Sequence, residues 1–562
     1  MANFTFHTTA DSTPLSCVFD ENFVTAHGGY SFIASVLRRR DFFRPLIDVL
    51  DKELPRTYPF YLYTNEDIIE QLMAGLIIGL PRFSDANQMR RDPLCKAVVS
   101  SKGLASSSTA SRFVQTIDQA AHRERKAILE KDKISEDKLK KTDSRLITTP
   151  LMEKLNYSLL EQALKVVDDG SLGPVIIDVD GTPIKLYGHQ EHVAFDGHYG
   201  CNCYLPIFVT INGVPAFIQN APGAANGAAL FLNHVDVILT KVQQTFPNRK
   251  IIVRADTGYN NDELLERIAH HHCGFVVGAN VAGGKYKTKA LKAQVFEDMA
   301  NKTAADGIPA DVLRFFALDN FMLSDDLPTK NGLPKNIKTF RCSGLLRDYR
   351  AKSWKAPRTF LCYRLQYNSD HRNDPDGGVN IRYIQSNLTR EELLAITDGR
   401  GERKARSNIS VSLEPSEDDV KIAVELYEGF FCDRAQDEGL NCEWKSYCYA
   451  SQCSCEGFFG NSFRMLLSGF AMLALIACIR WKIFPEKSQS TTHRRASRKT
   501  NVTRSHQAEK QHIGPTIRSI RKHLINVPAL LKVTKRRVTI RFARDMHPDW
   551  KEAMIRLSTL QP

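Results

Sequence analysis

The sequence predicts a mixed α/β sheet covered by helices, with a helical region before it and a β-rich insertion within it. Three observations lead there. Short runs rich in Val, Ile and Phe begin at residue 174 ("PVIIDVD", "LPIFVTI", "VPAFIQ", "KIIVRAD", "CGFVVGAN") and are punctuated by Gly, Pro and Asn, which is the signature of strands. Between the later runs, "GAALFLNHVDVILTKVQQTF" and "NDELLERIAHHH" have helical apolar spacing, and alternation of strand and helix argues for a mixed sheet with helices on its faces. Further strand-like pieces ("IKTFRCSG", "RTFLCYRLQY", "VNIRYIQS") return within 310–390 among polar loops.

Residues 1–150 read as a helical N-terminal domain. "NEDIIEQLMAGLIIGL" has helical spacing and an acidic first turn, and "LASSSTASRFVQTIDQAAHRERKAIL" places Ser/Thr caps before a second long helix. The polar stretch between them, "PRFSDANQMRRDP", is turn-like, so the pair fits either a helix-turn-helix that enters DNA or an ordinary helical hairpin. The sheet region then divides into 151–300, a β-rich insertion at 301–410, and a helical return at 411–484 with helices over 417–447 and 457–482. A basic region at 485–562 closes the chain and contains a strand-like run, "LLKVTKRRVTIRFA".

At 562 residues the length suits about three or four domains. Composition is ordinary for a globular protein, 43% hydrophobic and 25% charged. The start lacks a basic segment followed by an apolar one, so no secretion signal is expected. "MLLSGFAMLALIACI" falls short of the roughly 20 residues needed to span a bilayer, which points to a buried helix and to no membrane partner. Thirteen irregularly spaced cysteines fit a reducing cytoplasm better than a disulfide framework. The net charge of +13 is concentrated: from Arg480 onward there are 20 Lys/Arg against 5 Asp/Glu. Such a run suits a polyanion partner or a solvated tail.

Three acidic positions stand out. Asp180 ends the first strand beside Gly181, and Asp256 ends "KIIVRAD" before the turn "TGYNN"; open α/β sheets place ligands at such carboxyl edges. Asp178 shares a strand face with Asp180, because side chains alternate with period two. Only Asp180 lies at the strand end, so it is the expected ligand and Asp178 a structural carboxylate. The third position is Glu438, in "FFCDRAQDEGLNCEWK". At about 100° per residue, Arg434, Glu438 and Lys445 fall about 60°, 20° and 40° from Phe431 around one helix. Two strand-end aspartates and a helical glutamate are what a two-ion Mg²⁺ site for phosphoryl transfer needs, with Arg434 and Lys445 holding phosphate oxygens.

These residues carry a family resemblance. The chain resembles the DDE transposases of bacterial insertion sequences, in particular the cut-and-paste group marked by Y-x2-R-x3-E-x6-K. That motif reads Phe431, Arg434, Glu438, Lys445 here, with its spacing intact. "DVDGT" and "RADTGY" resemble the two aspartate motifs, and "GHYGCNCYLPIFVTING" and "GNSFRMLLSGFAMLAL" the neighbouring strand and helix. The resemblance implies an RNase H-like core, with Asp180, Asp256 and Glu438 as catalytic metal ligands for Mg²⁺, which Mn²⁺ would replace. It also implies double-stranded DNA as partner (element ends and target), a homodimer in the synaptic complex, and a cytoplasmic, nucleoid-associated location. Water and then a 3′-hydroxyl would attack phosphodiesters in line. A non-catalytic DNA-binding derivative and an RNase H-like nuclease without strand transfer are the rival expectations.

Arg434, Lys445, Phe431, Arg254 and Trp354 are the expected DNA contacts. Trp354 is placed either against a flipped base or in the core of the insertion. Phe431 departs from the family tyrosine and lacks its hydroxyl; Tyr427, one turn earlier, is the nearest substitute. Two further clusters, Cys442/Cys448/Cys453/Cys455 and His189/His192/His198/Cys201/Cys203, lack the two paired knuckles that structural zinc prefers. The histidines at 270–272 suit a helix C-terminus, and "VAGGK" lacks the full phosphate-loop pattern.

Overall fold

The computed structural model describes residues 4–6, 15–17, 23–56, 60–100, 102–136, 143–167, 173–279, 339–346, 360–368, 379–397, 410–412, 425–480, 515–534 and 537–560. Trp354, the stretch "VAGGK" and the basic run 481–514 lie outside them.

Among the N-terminal helices are α1 (Tyr30–Arg39), α2 (Arg44–Glu53), α3 (Asn65–Ile78), α4 (Ser107–Lys131) and α5 (Pro150–Val167). Helix α3 starts where the acidic first turn indicates, in a reciprocal cap between Thr64 and Asp67. The segment expected to be a turn between α3 and α4 instead holds short helical pieces, Phe83–Asp85, Ala86–Met89 and Pro93–Val98. Asp92 caps the last of them with Pro93 in its first turn, a start signal hidden in the polar run.

The sheet strands are β1 (Val175–Gly181), β2 (Ile207–Ile211), β3 (Val214–Gln219), β4 (Ile251–Ala255), β5 (Gly274–Ala279), β6 (Thr339–Leu346), β7 (Phe360–Asn368), β8 (Val379–Ser386) and β9 (Ser410–Ser412). They form one sheet in the order β9-β6-β7-β8-β5-β4-β1-β2-β3. The β1–β2 and β2–β3 pairs are antiparallel, whereas β4 pairs with β1, and β5 with β4, in parallel. The order 3-2-1-4-5, three antiparallel strands and then two parallel ones, is the RNase H-like arrangement. The strands expected in the insertion extend the same sheet, through β8 antiparallel to β5. The helix expected between β3 and β4 is two, Gly227–Leu232 and α6 (Val235–Thr245), broken at Asn233–His234, where buried His234 bonds Tyr157. Helix α7 (Asp262–His270) leads into β5.

After the sheet come α8 (Ala435–Tyr447) and α9 (Phe458–Arg480). Over Phe458–Cys478, α9 is long and apolar enough to cross a membrane, but its most apolar stretch is 89% buried inside the protein. It packs against α3, α4, α5 and β3, so one hydrophobic core runs from the N-terminal helices to the sheet. The C-terminal residues join that core: Ile517, Ile520, Leu524 and Leu557 have no exposed surface, and the last helix is α10 (Pro548–Thr559). The strand-like run near the C-terminus forms a hairpin, Ala529–Val533 with Val538–Phe542, that pairs with Val24–Thr25.

Candidate active site

The parallel register of β1 and β4 sets the site. Val179 pairs with Ala255, so the next residue of each, Asp180 and Asp256, lies at the carboxyl end of adjacent strands. Period-two alternation divides the sheet residues between two cores: Ile177, Val179 and Val253 enter the main one, while Ile176 and Ile252 enter a smaller one with Val276, Ile384, Leu426, Tyr427 and Phe430. Asp178 stands opposite Arg254 in the ladder and is buried. Arg254 Nε and Nη2 donate to its two carboxylate oxygens, the latter at 2.8 Å, and Arg254 Nη1 donates to the Phe430 carbonyl. Arg254, expected at the DNA, is therefore inside the protein and only 7% exposed, welding β4 to β1 and to the segment before α8.

Asp180, two residues on, faces α8. Asn441 Nδ2 donates to its Oδ2 at 2.8 Å, and Arg434 Nη2 to its Oδ1 at 3.3 Å. Asp256 Oδ1 accepts from the Gly258 N–H at 2.8 Å and so caps the Thr257–Tyr259 turn. That turn packs on β5 at Gly278, where a Cβ would lie 2.6 Å from the Thr257 nitrogen; only glycine lets the Asp256 corner close down on the sheet.

The helix carrying the third acid is not the single uninterrupted one the wheel assumes. Residues Glu425–Phe431 form a π-helical turn, Cys432–Arg434 a 3-10 turn, and α8 begins only at Ala435, so Phe431 lies off the α8 face. Glu438 lies on α8 four residues after Arg434 and three before Asn441, on the row between the two residues that reach Asp180. The Glu438 side chain lies outside the described residues. Trp444 anchors the helix: it is fully buried and stacks at 5.0 Å on Phe208, the cross-strand neighbour of Asp180. Lys445 is half-buried; burial lowers the pKa of its ammonium, and the charge of Asp180 opposes that shift. The Phe431 ring has the Arg434 guanidinium 5.6 Å from its centroid. Tyr427, the expected hydroxyl substitute, is 1% exposed within the smaller core and does not reach the surface.

The donor set suits a hard divalent cation. Asp180 and Asp256 offer carboxylate oxygens on neighbouring strands, and Asn441 Oδ1 beside Asp180 is buried with no hydrogen-bond partner among the described residues. The Tyr259 hydroxyl, also buried with no partner among the described residues, has its pKa raised by burial and then by Asp180 and Asp256. Sequence reasoning missed Asn441 and Trp444, although Asn441 sits one helical turn beyond Glu438, where a face-by-face reading of α8 finds it.

A second acidic cluster lies elsewhere. Among the described residues, Glu136, Glu191 and His192 bring potential ligand atoms within 4.8 Å of one another. Arg125 already fills that space, with Nη1 3.1 Å from Glu191 Oε1 and 2.9 Å from His192 Nε2. Of the residues weighed as zinc ligands in the sequence, only His192 takes part in it.

The mixed sheet flanked by helices, with Asp180 and Asp256 at adjacent strand ends, is an RNase H-like core. The chain belongs to the transposase DDE domain group 1 family, which matches residues 8–500. No curated protein matches the sequence.

Proposed function

We propose that this transposase binds the terminal inverted repeats of an insertion element and catalyses Mg²⁺-dependent strand cleavage and strand transfer, by a cut-and-paste route. The observation that carries the reading is the meeting of Asp180 with Arg434 and Asn441, which flank Glu438 in sequence, while Asp256 ends the next strand. In this reading Asp180, Asp256 and Glu438 hold the metal, and Mn²⁺ serves in its place. When bound, the divalent ions supply Lewis-acid activation of the attacking oxygen and stabilisation of the leaving one.

The chain's own groups do the rest. Arg434 has five N–H donors in a planar fork, of which Asp180 engages one side, so its other edge is available to a phosphate oxygen. Lys445 adds a point charge two turns further along the row from Glu438. Asn441 fixes the carboxylate plane of Asp180, and the Arg254–Asp178 pair fixes the strand beneath it. Water, and later a 3′-hydroxyl, displaces the scissile oxygen in line, and no covalent protein–DNA bond forms. Two protomers act together on two element ends.

A nicking assay on DNA carrying the inverted repeats that flank the gene, with Mg²⁺, tests the reading. Wild type nicks and Glu438→Ala does not; identical, absent cleavage from both would leave a non-catalytic DNA-binding protein. With target DNA added, joined products are expected, and cutting without joining would make the protein a nuclease.

A further inference from the structure

Between the end of β1 and the start of β2 the chain builds a small three-stranded flap from Ile184–Lys185, Ala194–Asp196 and Cys201–Tyr204, with the last strand in the middle. Its root is firmly set. Tyr204 is fully buried and its hydroxyl donates to the Glu191 carbonyl at 2.6 Å, and the Leu186 N–H donates to the Asn202 carbonyl at 3.0 Å. Its outer part presents three large rings to solvent: Tyr187 is 88% exposed, Phe195 60% and Tyr199 44%. Folding normally buries such rings, and several left in water within one short segment mark a contact surface.

The tip is ordered by its own bonds. Asp196 Oδ1 accepts from the backbone N–H groups of His198 (2.7 Å) and Tyr199 (3.1 Å), and Gly200, at φ +61°, turns the chain into the returning strand. The His198 ring meets Tyr199 edge-on at 4.8 Å, and Lys185 Nζ lies 5.3 Å from the Tyr187 ring centroid. The flap's exposed residues are aromatic, histidine, lysine, asparagine or glycine; none is acidic and none aliphatic. Its two acids are engaged, Asp196 at the tip and Glu191 with Arg125 and His122. Tyr199 is near enough to the carboxylates that, after burial, both Asp180 and Asp256 raise its hydroxyl pKa.

We infer that this flap is a stacking platform for unpaired nucleobases at the DNA end held at Asp180 and Asp256, with Tyr187, Phe195 and Tyr199 as ring faces and Lys185 as a phosphate contact. The inference rests on the transposase reading and names what that reading leaves open, the residues that hold a frayed strand beside the cut. Separate rings interleaved with a cation and small polar residues suit base stacking along a charged backbone. A protein partner would call for a contiguous apolar centre, which the flap does not have. Its root begins at Ile184, four residues after Asp180, so the flap springs from the same end of β1 that carries this carboxylate.

The test measures binding, not cleavage. Full-length protein in EDTA is titrated by fluorescence anisotropy with a blunt duplex and with the same duplex carrying a short unpaired 3′ thymidine tail. Wild type binds the tailed probe more tightly. Tyr187→Ala, Phe195→Ala and Tyr199→Ala each weaken tailed binding on the order of tenfold and leave blunt binding and the thermal midpoint unchanged, while Tyr199→Phe keeps the preference. Equal affinity of wild type for both probes, or equal loss on both probes in the variants, overturns the platform and leaves the transposase reading standing. Failure of wild type to bind either duplex removes both.

Discussion

Arg254 stands directly across the β1–β4 ladder from Asp178 and engages both of its carboxylate oxygens, two residues before Asp180. Two acids on one strand face thus have opposite fates, one neutralised inside the protein and the other left at the sheet edge. Asp180→Asn is expected to abolish cleavage in a protein that still folds. Asp178→Asn is expected to keep measurable cleavage while lowering stability. Breaking a buried ion pair by removing either partner costs about 3–5 kcal/mol, so Asp178→Asn and Arg254→Met should both show a larger drop in thermal midpoint than Asp180→Asn. Paired melting and nicking curves check this; loss of activity confined to Asp178→Asn would reverse the assignment.

Asn441 makes a second, separable prediction. It holds Asp180 Oδ2 from the helix that carries Glu438. Groups that orient a metal-binding carboxylate change metal affinity by roughly 10–100-fold when removed. Asn441→Ala should raise the Mg²⁺ concentration needed for half-maximal nicking within that range, with much of the maximal rate recovered at high Mg²⁺. A lowered maximum at an unchanged Mg²⁺ requirement would assign Asn441 to another role.

What the sequence discloses follows the range of the forces involved. The strands of the RNase H-like sheet and α9 are legible because a buried strand or core helix writes its apolar pattern locally; "VIIDVDG" and "IIVRA" lie in strands, as the pattern indicates. Asp178 reads as structural from its place in the strand, but its partner, 76 residues away, does not, since only the parallel register brings Arg254 to it. For the same reason the burial of Arg254, named in the sequence as a DNA contact, is not legible there. The break before α8 is hidden because π and 3-10 turns share the residue preferences of an α-helix, and the wheel from Phe431 carries straight through it. The basic C-terminal region misleads in another way: a charge count does not register the apolar residues threaded through it.

That region gives a third prediction. Arg521, 8% exposed, donates to the carbonyls of Ile77 (3.0 Å) and Leu76 (3.1 Å), and Asn526 Nδ2 donates to that of Ile78 at 2.9 Å. Together they satisfy the last carbonyls of α3, groups that a helix end otherwise leaves open. Hydrogen bonds from a charged donor contribute about 1.5–3 kcal/mol each, so Arg521→Ala should lose on the order of 3 kcal/mol in chemical denaturation. Truncation before Thr516 also strips Ile517, Ile520 and Leu524 from the core, and the shortened chain should be insoluble or molten. A soluble truncated protein with the full-length melting temperature would show the C-terminal region to be dispensable.

The clasp at the start of α9 predicts a pH dependence of stability. His122 lies 3.5 Å from Asp118 and 3.1 Å from Glu191, while Asp118 accepts from the Gly460 N–H and Glu191 from the Phe458 N–H. Hydrogen bonds to Asp118 and then Glu191 raise the His122 pKa from 6.5 to about 9. Burial pushes Glu191 up, but bonds from His122 and the Phe458 N–H, with the charges of His122 and Arg125, bring it from 4.5 down to about 2. A raised histidine stabilises fully below its unfolded pKa and loses that contribution as pH climbs through its folded one; a depressed carboxylate does the reverse on the acid side. The clasp is therefore strongest between pH 4.5 and 6.5, weakening toward pH 9 and toward pH 2. Because these groups are partly solvated, the alkaline loss should be on the order of 1–2 kcal/mol. Urea unfolding of wild type at pH 6 and pH 9 should differ by that amount more than unfolding of His122→Gln, which cannot titrate there. If the two proteins lose stability in parallel between those pH values, His122 is not the group responsible.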